Sequence, residues 1–237
     1  MSQSDRESRQ GAQPTLVLDL DGTLIDTAGD LVATLNVILG KEGLPPLGLA
    51  EARDMIGSGA RAMLEAGFAA NGPVPPQDRL DQLFAAFVAH YSDHIADVSA
   101  PFPGALAALD RFEAGGWRLA VCTNKLESLA RRLLGEIGIA ERFHSIAGQD
   151  TFGVRKPDPR HLIETVLQAG GTPEAAVMVG DSDLDIAAAR AAGIPSIGVT
   201  FGYSSGPIHD HRPDAVIGHF DELFDAAGRL VKRAGVP

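Results

Sequence analysis

Short apolar runs alternate with stretches of helical periodicity over most of the chain. The apolar runs are rich in β-branched residues and predict buried strands. They cover residues 15–20, 117–122, 145–147, 176–180 and 196–199, with a weaker run at 214–217. Apolar residues at helical spacing predict helices at 104–114, 126–137, 159–169, 184–192 and 221–233. Strands that alternate with helices favour a parallel sheet covered on both faces, which is an α/β fold of the Rossmann-like type.

Residues 29–100 interrupt this alternation. They carry helical patterns at 30–43, 60–70 and 79–96 without a convincing strand, and their connections contain Pro and Gly. Unstructured loops of this length are rare in compact proteins. We therefore expect a small α-helical domain at 29–100, inserted after the first strand of a core domain that comprises 14–28 and 101–237. The polar residues 1–13 are expected to form a disordered tail.

Composition limits the partners and the location. The 237 residues carry 20 Lys and Arg against 31 Asp and Glu, a net charge of −11, so we expect no nucleic-acid partner. No apolar run approaches the roughly 18 residues of a membrane span, and the first residues lack a secretory signal. Cys122 is the single cysteine, which excludes an internal disulfide and favours a reducing compartment. We expect a cytoplasmic protein without membrane contact, either a monomer or a homodimer.

Two carboxylates, Asp19 and Asp21, stand at the end of the first predicted strand and precede Gly22. Residues two apart in an extended chain share a face, so both carboxylates can point into one site. Two carboxylates this close, beside a hydrophobic strand, are costly unless a cation neutralises them. A polar loop after the strand is the alternative, because Asp-Gly is a common turn pair.

Polar residues with a capacity to bind anions follow at two further places. Thr123 and Asn124 come directly after the strand at 117–122, where a hydroxyl and an amide suit donation to phosphate oxygens. Helix capping is the alternative role for them. Lys156 lies in a proline-containing tract just ahead of a helix. A rigidly presented ammonium can cancel charge between a carboxylate and a phosphate, whereas a surface lysine is the ordinary alternative.

Three acidic residues, Asp181, Asp183 and Asp185, follow the strand at 176–180. Such a cluster at a strand-to-helix junction is typical of a site for a hard cation. Acidic residues also favour the first turn of a helix. That preference explains one or two of them, but not easily Asp181 at the very end of the strand.

The four motifs occur in the order Asp-x-Asp-Gly-Thr, Thr-Asn, Lys-Pro and Gly-Asp-x-x-x-Asp, each at a predicted strand end or just before a helix. This ordered set resembles the haloacid dehalogenase superfamily, specifically its phosphatase branch with a helical cap between the first and second motifs. The resemblance covers residues 15–223, which is nearly the whole chain.

The resemblance implies a Mg²⁺-dependent phosphatase that acts on a small phosphorylated metabolite through an aspartyl-phosphate. Asp19 is the implied nucleophile, and Asp21 is the implied general acid and base. The implied metal ligands are Asp19, the backbone carbonyl of Asp21, and Asp181. Asp185 is implied to orient metal-bound water or the lysine, with direct ligation left open. The groups implied to bind the phosphoryl oxygens are Thr123, the amide of Asn124 and Lys156.

Two shorter segments, 56–61 and 199–203, resemble those of phosphoglycolate phosphatases and imply 2-phosphoglycolate as the substrate. Ser58 and Arg61 are then candidates for contact with the carboxylate of the substrate. A glycine-flanked turn followed by a solvated arginine is the simpler explanation of these two residues. The sequence itself leaves the leaving group open.

Two other functions stay open at this point: a phosphosugar mutase on the same scaffold, and a non-catalytic binding module with the same fold. A mutase has to retain a bisphosphate, and the nearest cations of the inserted segment are Lys41, Arg53 and Arg61, without a clear lysine–histidine pair. The intact acidic motifs argue against a module that has lost its chemistry.

Overall fold

The computed structural model describes residues 13–53, 55–203 and 206–233. The predicted disordered tail at 1–13 therefore lies, apart from Gln13, outside the described residues. In chain order the strands are β1 (Thr15–Leu18), β2 (Ile25–Asp26), β3 (Ala100–Pro101), β4 (Arg118–Cys122), β5 (Ser145–Ala147), β6 (Ala176–Gly180), β7 (Ser196–Val199) and β8 (Ala215–Ile217). The helices are α1 (Ala28–Lys41), α2 (Leu49–Arg53), α3 (Ala60–Asn71), α4 (Gln77–Asp93), α5 (Ala105–Ala114), α6 (Glu127–Glu136), α7 (Pro159–Gln168), α8 (Asp183–Ala192) and α9 (Leu223–Arg233).

Six parallel strands form the central sheet in the order β5–β4–β1–β6–β7–β8. Leu16 of β1 pairs with Leu119 of β4 on one side and with Val177 of β6 on the other. From β1 the chain first builds the β4–β5 half and then crosses to build the β6–β7–β8 half. The strand order thus reverses at β1, and in open parallel sheets ligands bind beyond the carboxyl ends of strands at such a point.

Alternate side chains of β1 pack into two separate apolar clusters, because successive residues of a strand point to opposite faces. Leu16 and Leu18 pack on the face that α5, α6 and α9 cover. Val17 packs on the opposite face, with Leu162 of α7 and Ala189 of α8. Both faces of the sheet are therefore buried, which explains why its strands read as continuous apolar runs. The predicted α/β fold class is confirmed.

Helices α1 to α4 lie between β2 and β3, where we expected a helical insertion. Gly67 of α3 lets that helix approach Leu35 of α1 closely, since a Cβ at this position would lie 2.8 Å from the leucine side chain. Strands β2 and β3 pair antiparallel, with Ile25 opposite Pro101, and so bring the two ends of the insertion together. Within the described residues every helix is too short or too polar to cross a membrane.

Among the strands and α-helices, three short elements were missed from the sequence. Strands β2 and β3 have two residues each and helix α2 has five, too few for a periodic pattern. Several boundaries also differ from the prediction by one to three residues, two of them as follows. Strand β1 ends at Leu18, so that Asp19 and Leu20 already belong to the turn, and the last predicted helix begins with a 3₁₀ turn at Phe220–Glu222 before α9.

Candidate active site

Asp19 is the first residue beyond β1 and remains attached to the sheet, because its backbone N–H donates to the carbonyl of Val179 at 2.9 Å. Its side chain is buried at the carboxyl edge of the sheet. The chain then turns sharply, with φ of +83° at Gly22, a conformation that glycine adopts without strain. A Cβ on Gly22 would also lie 2.5 Å from Oδ2 of Asp181. The glycine therefore allows this turn to pack directly against Asp181.

Lys156 lies between two carboxylates at the base of the site. Its Nζ is 2.6 Å from Oδ1 of Asp185 and 2.8 Å from Oδ1 of Asp19. All three side chains are buried. Burial opposes a charge on Lys156, yet the two carboxylates outweigh it and raise the pKa of the ammonium. Lys156 is therefore a permanent cation beneath the proposed nucleophile.

Asn124 holds Lys156 in place through the backbone. Its Oδ1 accepts from the N–H of Lys156 at 2.9 Å, and its Nδ2 donates to the carbonyl of the same residue at 3.2 Å. The side-chain amide of Asn124 is thus engaged within the protein. Helix α6 begins at Glu127 with Leu126 as its N-cap residue, so neither Thr123 nor Asn124 caps it.

Asp181 is held at both oxygens. The hydroxyl of Thr23 donates to Oδ1 at 2.7 Å, and the backbone N–H of Tyr203 donates to Oδ2 at 2.7 Å. Burial, with the charge of Asp185 adding to it, raises the pKa of Asp181 to about 6. Neither Thr23 nor Tyr203 was assigned a contact with Asp181 from the sequence. Thr23 stands in the first motif, so its position gave a signal for this role.

Three buried carboxylates converge here, and the donor set fits a divalent metal ion. Ligand atoms of Asp19, Asp181 and Asp185 lie within 4.8 Å of one another. Burial raises the pKa of Asp19 to about 8 despite the positive charge of Lys156, and the two other carboxylates add to this. Oδ2 of Asp185 accepts from both the N–H and the hydroxyl of Ser182, so both oxygens of Asp185 have partners in the protein. An oxygen-only set with excess negative charge suits a hard cation.

Lys125 is a charged residue of the site that sequence reasoning missed. Its Nζ donates to Oδ1 and Oδ2 of Asp21 at 2.8 and 3.0 Å, and to the hydroxyl of Tyr91 at 2.9 Å. Thr27 donates a further hydrogen bond of 2.8 Å to Oδ1 of Asp21. The contact between Lys125 and Asp21 spans 104 positions of the chain. The sequence signal that could have identified Lys125 is its position directly after the Thr-Asn motif.

A narrow cavity lies above Asp19 and Asp21, between the sheet edge and the inserted helices. Its volume of about 30 Å³ holds only a few water molecules, at roughly 10–15 Å³ each. Thr123 and Asn124 reach this cavity from the sheet side. The apolar side chains that line it are Leu31, Ile56, Met63, Phe84, Phe87, Leu126 and Leu129. Such a cavity suits a small leaving group.

The inserted segment supplied two candidates for substrate contact, Ser58 and Arg61. Neither of them lines the cavity, whereas the glycines at 57 and 59 do. Arg61 forms an ion pair with Asp81 on the surface of the insertion. Its guanidinium also lies 5.4 Å from the centre of the Phe84 ring. The structure therefore places Arg61 against other residues of the insertion.

Comparison with known proteins identifies the family of this chain. Residues 16–199 match the family model of haloacid dehalogenase-like hydrolases. The phosphoglycolate phosphatase of Mesorhizobium japonicum is 46% identical over 225 residues, covering 94% of this chain and 99% of the relative. The phosphoglycolate phosphatase of Agrobacterium fabrum is 44% identical over 213 residues, covering 90% of this chain and 91% of the relative. A crystal structure described as a predicted phosphoglycolate phosphatase from Haemophilus somnus superposes with a TM-score of 0.85 at 27% identity, covering 90% and 97%.

The chain belongs to the haloacid dehalogenase-like hydrolases. Its identity to the relatives over almost their whole length, together with the family fold, identifies the activity as phosphoric monoester hydrolysis. The resemblance that the four motifs carried is thereby confirmed. Divalent metal dependence is general in this family, and the carboxylate cluster fits it.

Proposed function

We propose that this phosphatase hydrolyses 2-phosphoglycolate through an aspartyl-phosphate on Asp19. The observation that carries the proposal is the joint position of Asp19 and Asp21 at the floor of one small cavity at the sheet edge. The small cavity favours a small leaving group, and the relatives of 46% and 44% identity over nearly their full length carry the name phosphoglycolate phosphatase.

In the proposed first step, a carboxylate oxygen of Asp19 attacks phosphorus. A P–O bond forms to Asp19, the ester P–O bond breaks, and Asp21 in its acid form donates a proton to the leaving alkoxide. In the second step, the carboxylate of Asp21 takes a proton from water as the water attacks the acyl-phosphate. Inorganic phosphate leaves and the Asp19 carboxylate is restored.

The charges of the site support this assignment. Nζ of Lys156 contacts one carboxylate oxygen of Asp19 and one of Asp185, and so presents an ammonium beside the proposed nucleophile. We propose that Lys156, the hydroxyl of Thr123 and the backbone N–H of Asn124 bind the phosphoryl oxygens. Positioning and charge neutralisation are the main requirements of phosphoryl transfer. Asp185 is then a positioning residue for Lys156.

We propose Mg²⁺ as the metal, held by Asp19, the backbone carbonyl of Asp21, and Asp181. Carboxylate and carbonyl oxygens are the ligands that Mg²⁺ prefers, and it retains waters in such sites. When bound, the ion neutralises charge on the phosphoryl group and on the buried carboxylates. The hydrogen bonds from Thr23 and Tyr203 hold Asp181 in a fixed orientation for this purpose.

We propose that residues 29–100 act as a cap domain over a core formed by 14–28 and 101–237. Helices α1, α3 and α4 of this segment supply apolar walls of the cavity. Closure of these walls excludes bulk water and strengthens the electrostatic interactions of the site. The cytoplasmic location and the choice between monomer and homodimer stay predictions.

The test is a phosphate-release assay with Mg²⁺ on esters of glycolate, sugars and nucleosides and on pyrophosphate. We expect 2-phosphoglycolate to give the highest kcat/KM and Asp19→Asn to abolish turnover. The control is Asp93→Asn, which changes an exposed carboxylate of α4 and should leave turnover unchanged. Activity in Asp19→Asn would contradict the nucleophile, and a higher kcat/KM for another ester would contradict the substrate. Transfer of phosphate to a second sugar hydroxyl, without net release, would indicate the mutase reaction instead.

A further inference from the structure

The ammonium of Lys125 has no task in the reaction as described so far. Its side chain is only 4% exposed, yet it lines the cavity. Lys156 already supplies a cation at the nucleophile. Burial opposes a charge on Lys125, but Asp21 and Tyr91 outweigh it and raise the pKa of the ammonium. The protein therefore maintains a second buried cation within its substrate cavity.

Lys125 is the group best suited to a second anion in this cavity, since the other polar side chains that line it, apart from the two carboxylates, are the neutral Tyr91, Thr123, Asn124 and Gln149. The walls that the insertion contributes are mainly apolar, and Asp19 and Asp21 are negative. Among the described residues that line the cavity, Lys125 is the one cation. Arg61 is engaged with Asp81, and Arg53 donates to the carbonyl of Phe201. A substrate carboxylate in this cavity requires a cationic partner, because a buried unpaired charge is costly.

The position of Lys125 limits where such a carboxylate can be attached. A general acid donates to the bridging ester oxygen at roughly 2.5–3.0 Å. Nζ of Lys125 is 2.8 Å from Oδ1 of Asp21, so it lies within two hydrogen-bond lengths of that ester oxygen. A carboxylate on the carbon next to the ester oxygen falls in this range.

We propose that Lys125 exchanges one of its two hydrogen bonds to Asp21 for the substrate carboxylate, and so selects phosphate esters of small 2-hydroxy acids. This inference rests on the proposed function and assigns its specificity to one residue. Tyr91 is the positioning residue for the ammonium, through the 2.9 Å hydrogen bond to its hydroxyl and through its ring, whose centre lies 4.5 Å from Nζ. Specificity for the acid thus comes from the sheet edge rather than from Arg61.

The first test compares 2-phosphoglycolate with its neutral isostere phosphoglycolamide, in which an amide replaces the carboxylate. A site built to bind a charged group rejects an analogue that lacks it, and we expect a preference of roughly 100-fold in kcat/KM for the acid. Lys125→Met should bring this ratio close to one. Lys125→Arg, which keeps the charge, should retain part of it. Arg61→Met is the matched control and should keep the wild-type ratio.

A second test avoids the unpaired Asp21 that Lys125→Met creates. Asp21→Asn is compared with Asp21→Asn/Lys125→Met by calorimetric titration with 3-phosphonopropionate, a non-hydrolysable acid, and with its amide. We expect Asp21→Asn to bind the acid at least roughly 10-fold more tightly than the amide, and the double variant to lose this difference. The double variant removes both members of the pair, so it leaves no uncompensated charge.

The outcomes separate the inference from the proposed function. The role of Lys125 would be overturned if Lys125→Met kept the wild-type ratio of kcat/KM for the acid over the amide. It would also be overturned if Arg61→Met abolished that ratio. Equal losses on acid and amide would also overturn it, since that result identifies Lys125 as a positioning residue for Asp21 alone. A wild-type enzyme that prefers another ester over 2-phosphoglycolate would refute the proposed substrate before any variant is made.

Discussion

The hydroxyl of Tyr203 accepts a hydrogen bond of 2.6 Å from the backbone N–H of Thr27, and so joins the loop that holds Asp181 to the start of helix α1. The same oxygen accepts from Ala28 at 3.0 Å and donates to Asp26 at 2.6 Å. Tyr203 therefore connects the proposed metal site with the junction of β2 and α1, where the helical insertion begins.

Replacing Tyr203 by Phe should destabilise the protein while sparing the metal site. The buried N–H of Thr27 loses its acceptor and that of Ala28 keeps only a 3.4 Å contact to Oδ1 of Asp26, so we expect a loss of about 1–3 kcal/mol. Urea denaturation measures this loss. The contact to Asp181 uses the backbone N–H of Tyr203, so Mg²⁺ affinity should stay within a few-fold of wild type. Weaker metal binding at unchanged stability would show that the hydroxyl acts at the metal instead.

Replacing Lys156 by Met should unfold or strongly weaken the core. The ammonium offsets buried carboxylates at Asp19 and Asp185, and removal of one partner of a buried ion pair costs about 3–5 kcal/mol. The midpoint of urea denaturation, at an unchanged slope, measures this cost. Lys41→Met at the exposed end of α1 is the control and should change stability by less than about 0.5 kcal/mol. Equal effects of the two substitutions would contradict the charge balance.

Asp19 and Asp181 should lower the stability of the metal-free protein as pH rises from about 4 to about 8. Burial lowers the pKa of His161 to about 4, and below about pH 6.5 this residue offsets part of that loss. Burial raises the pKa of Asp19 to about 8 and that of Asp181 to about 6, from 3.8 in the unfolded chain. Between these values the folded state binds more protons than the unfolded state, so a rise in pH favours unfolding. Below this window the carboxyl groups of Asp19 and Asp181 are protonated in both the folded and the unfolded state, and above it they are ionised in both.

Thermal denaturation in EDTA and in excess Mg²⁺ measures this linkage. Without metal, Tm should fall by roughly 5 °C or more across the window. Since the cation takes over the neutralising role of the protons, the gain in Tm from Mg²⁺ should be larger at pH 8 than at pH 5. A metal-free Tm that rises with pH would refute the prediction, and Asp181→Asn should flatten the curve.

Gly22→Ala should disrupt the site, whereas Gly40→Ala should not. A Cβ at Gly22 would collide with Asp181 and Tyr203, and φ there is +83°. We expect a loss of at least about 2 kcal/mol together with loss of turnover. Gly40 lies in α1 with no atom within 4 Å of an added Cβ, so Ala should stabilise that helix by up to about 1 kcal/mol. Urea denaturation of both variants provides the comparison.

The central sheet could be predicted because each of its strands is buried on both faces and therefore continuously apolar. The placement of Asp19 and Asp181 at strand ends followed from the same pattern. The long-range hydrogen bonds around the site could not be predicted in this way. The bond from Lys125 to Asp21 and that from Tyr203 to Asp26 join residues 104 and 177 positions apart. Local periodicity carries no information on contacts that only the assembled sheet and insertion create.

The pairing of Ile25 with Pro101 has a consequence for how such enzymes diversify. Because the two ends of the helical insertion are adjacent, the insertion is equivalent to a closed loop attached to the core. Doubling the length of a flexible loop costs only about 0.6 kcal/mol in closure entropy. An insertion of different size and composition can therefore be exchanged at this junction at little cost to the sheet. One reaction centre can in this way acquire new substrates by replacement of a single contiguous segment.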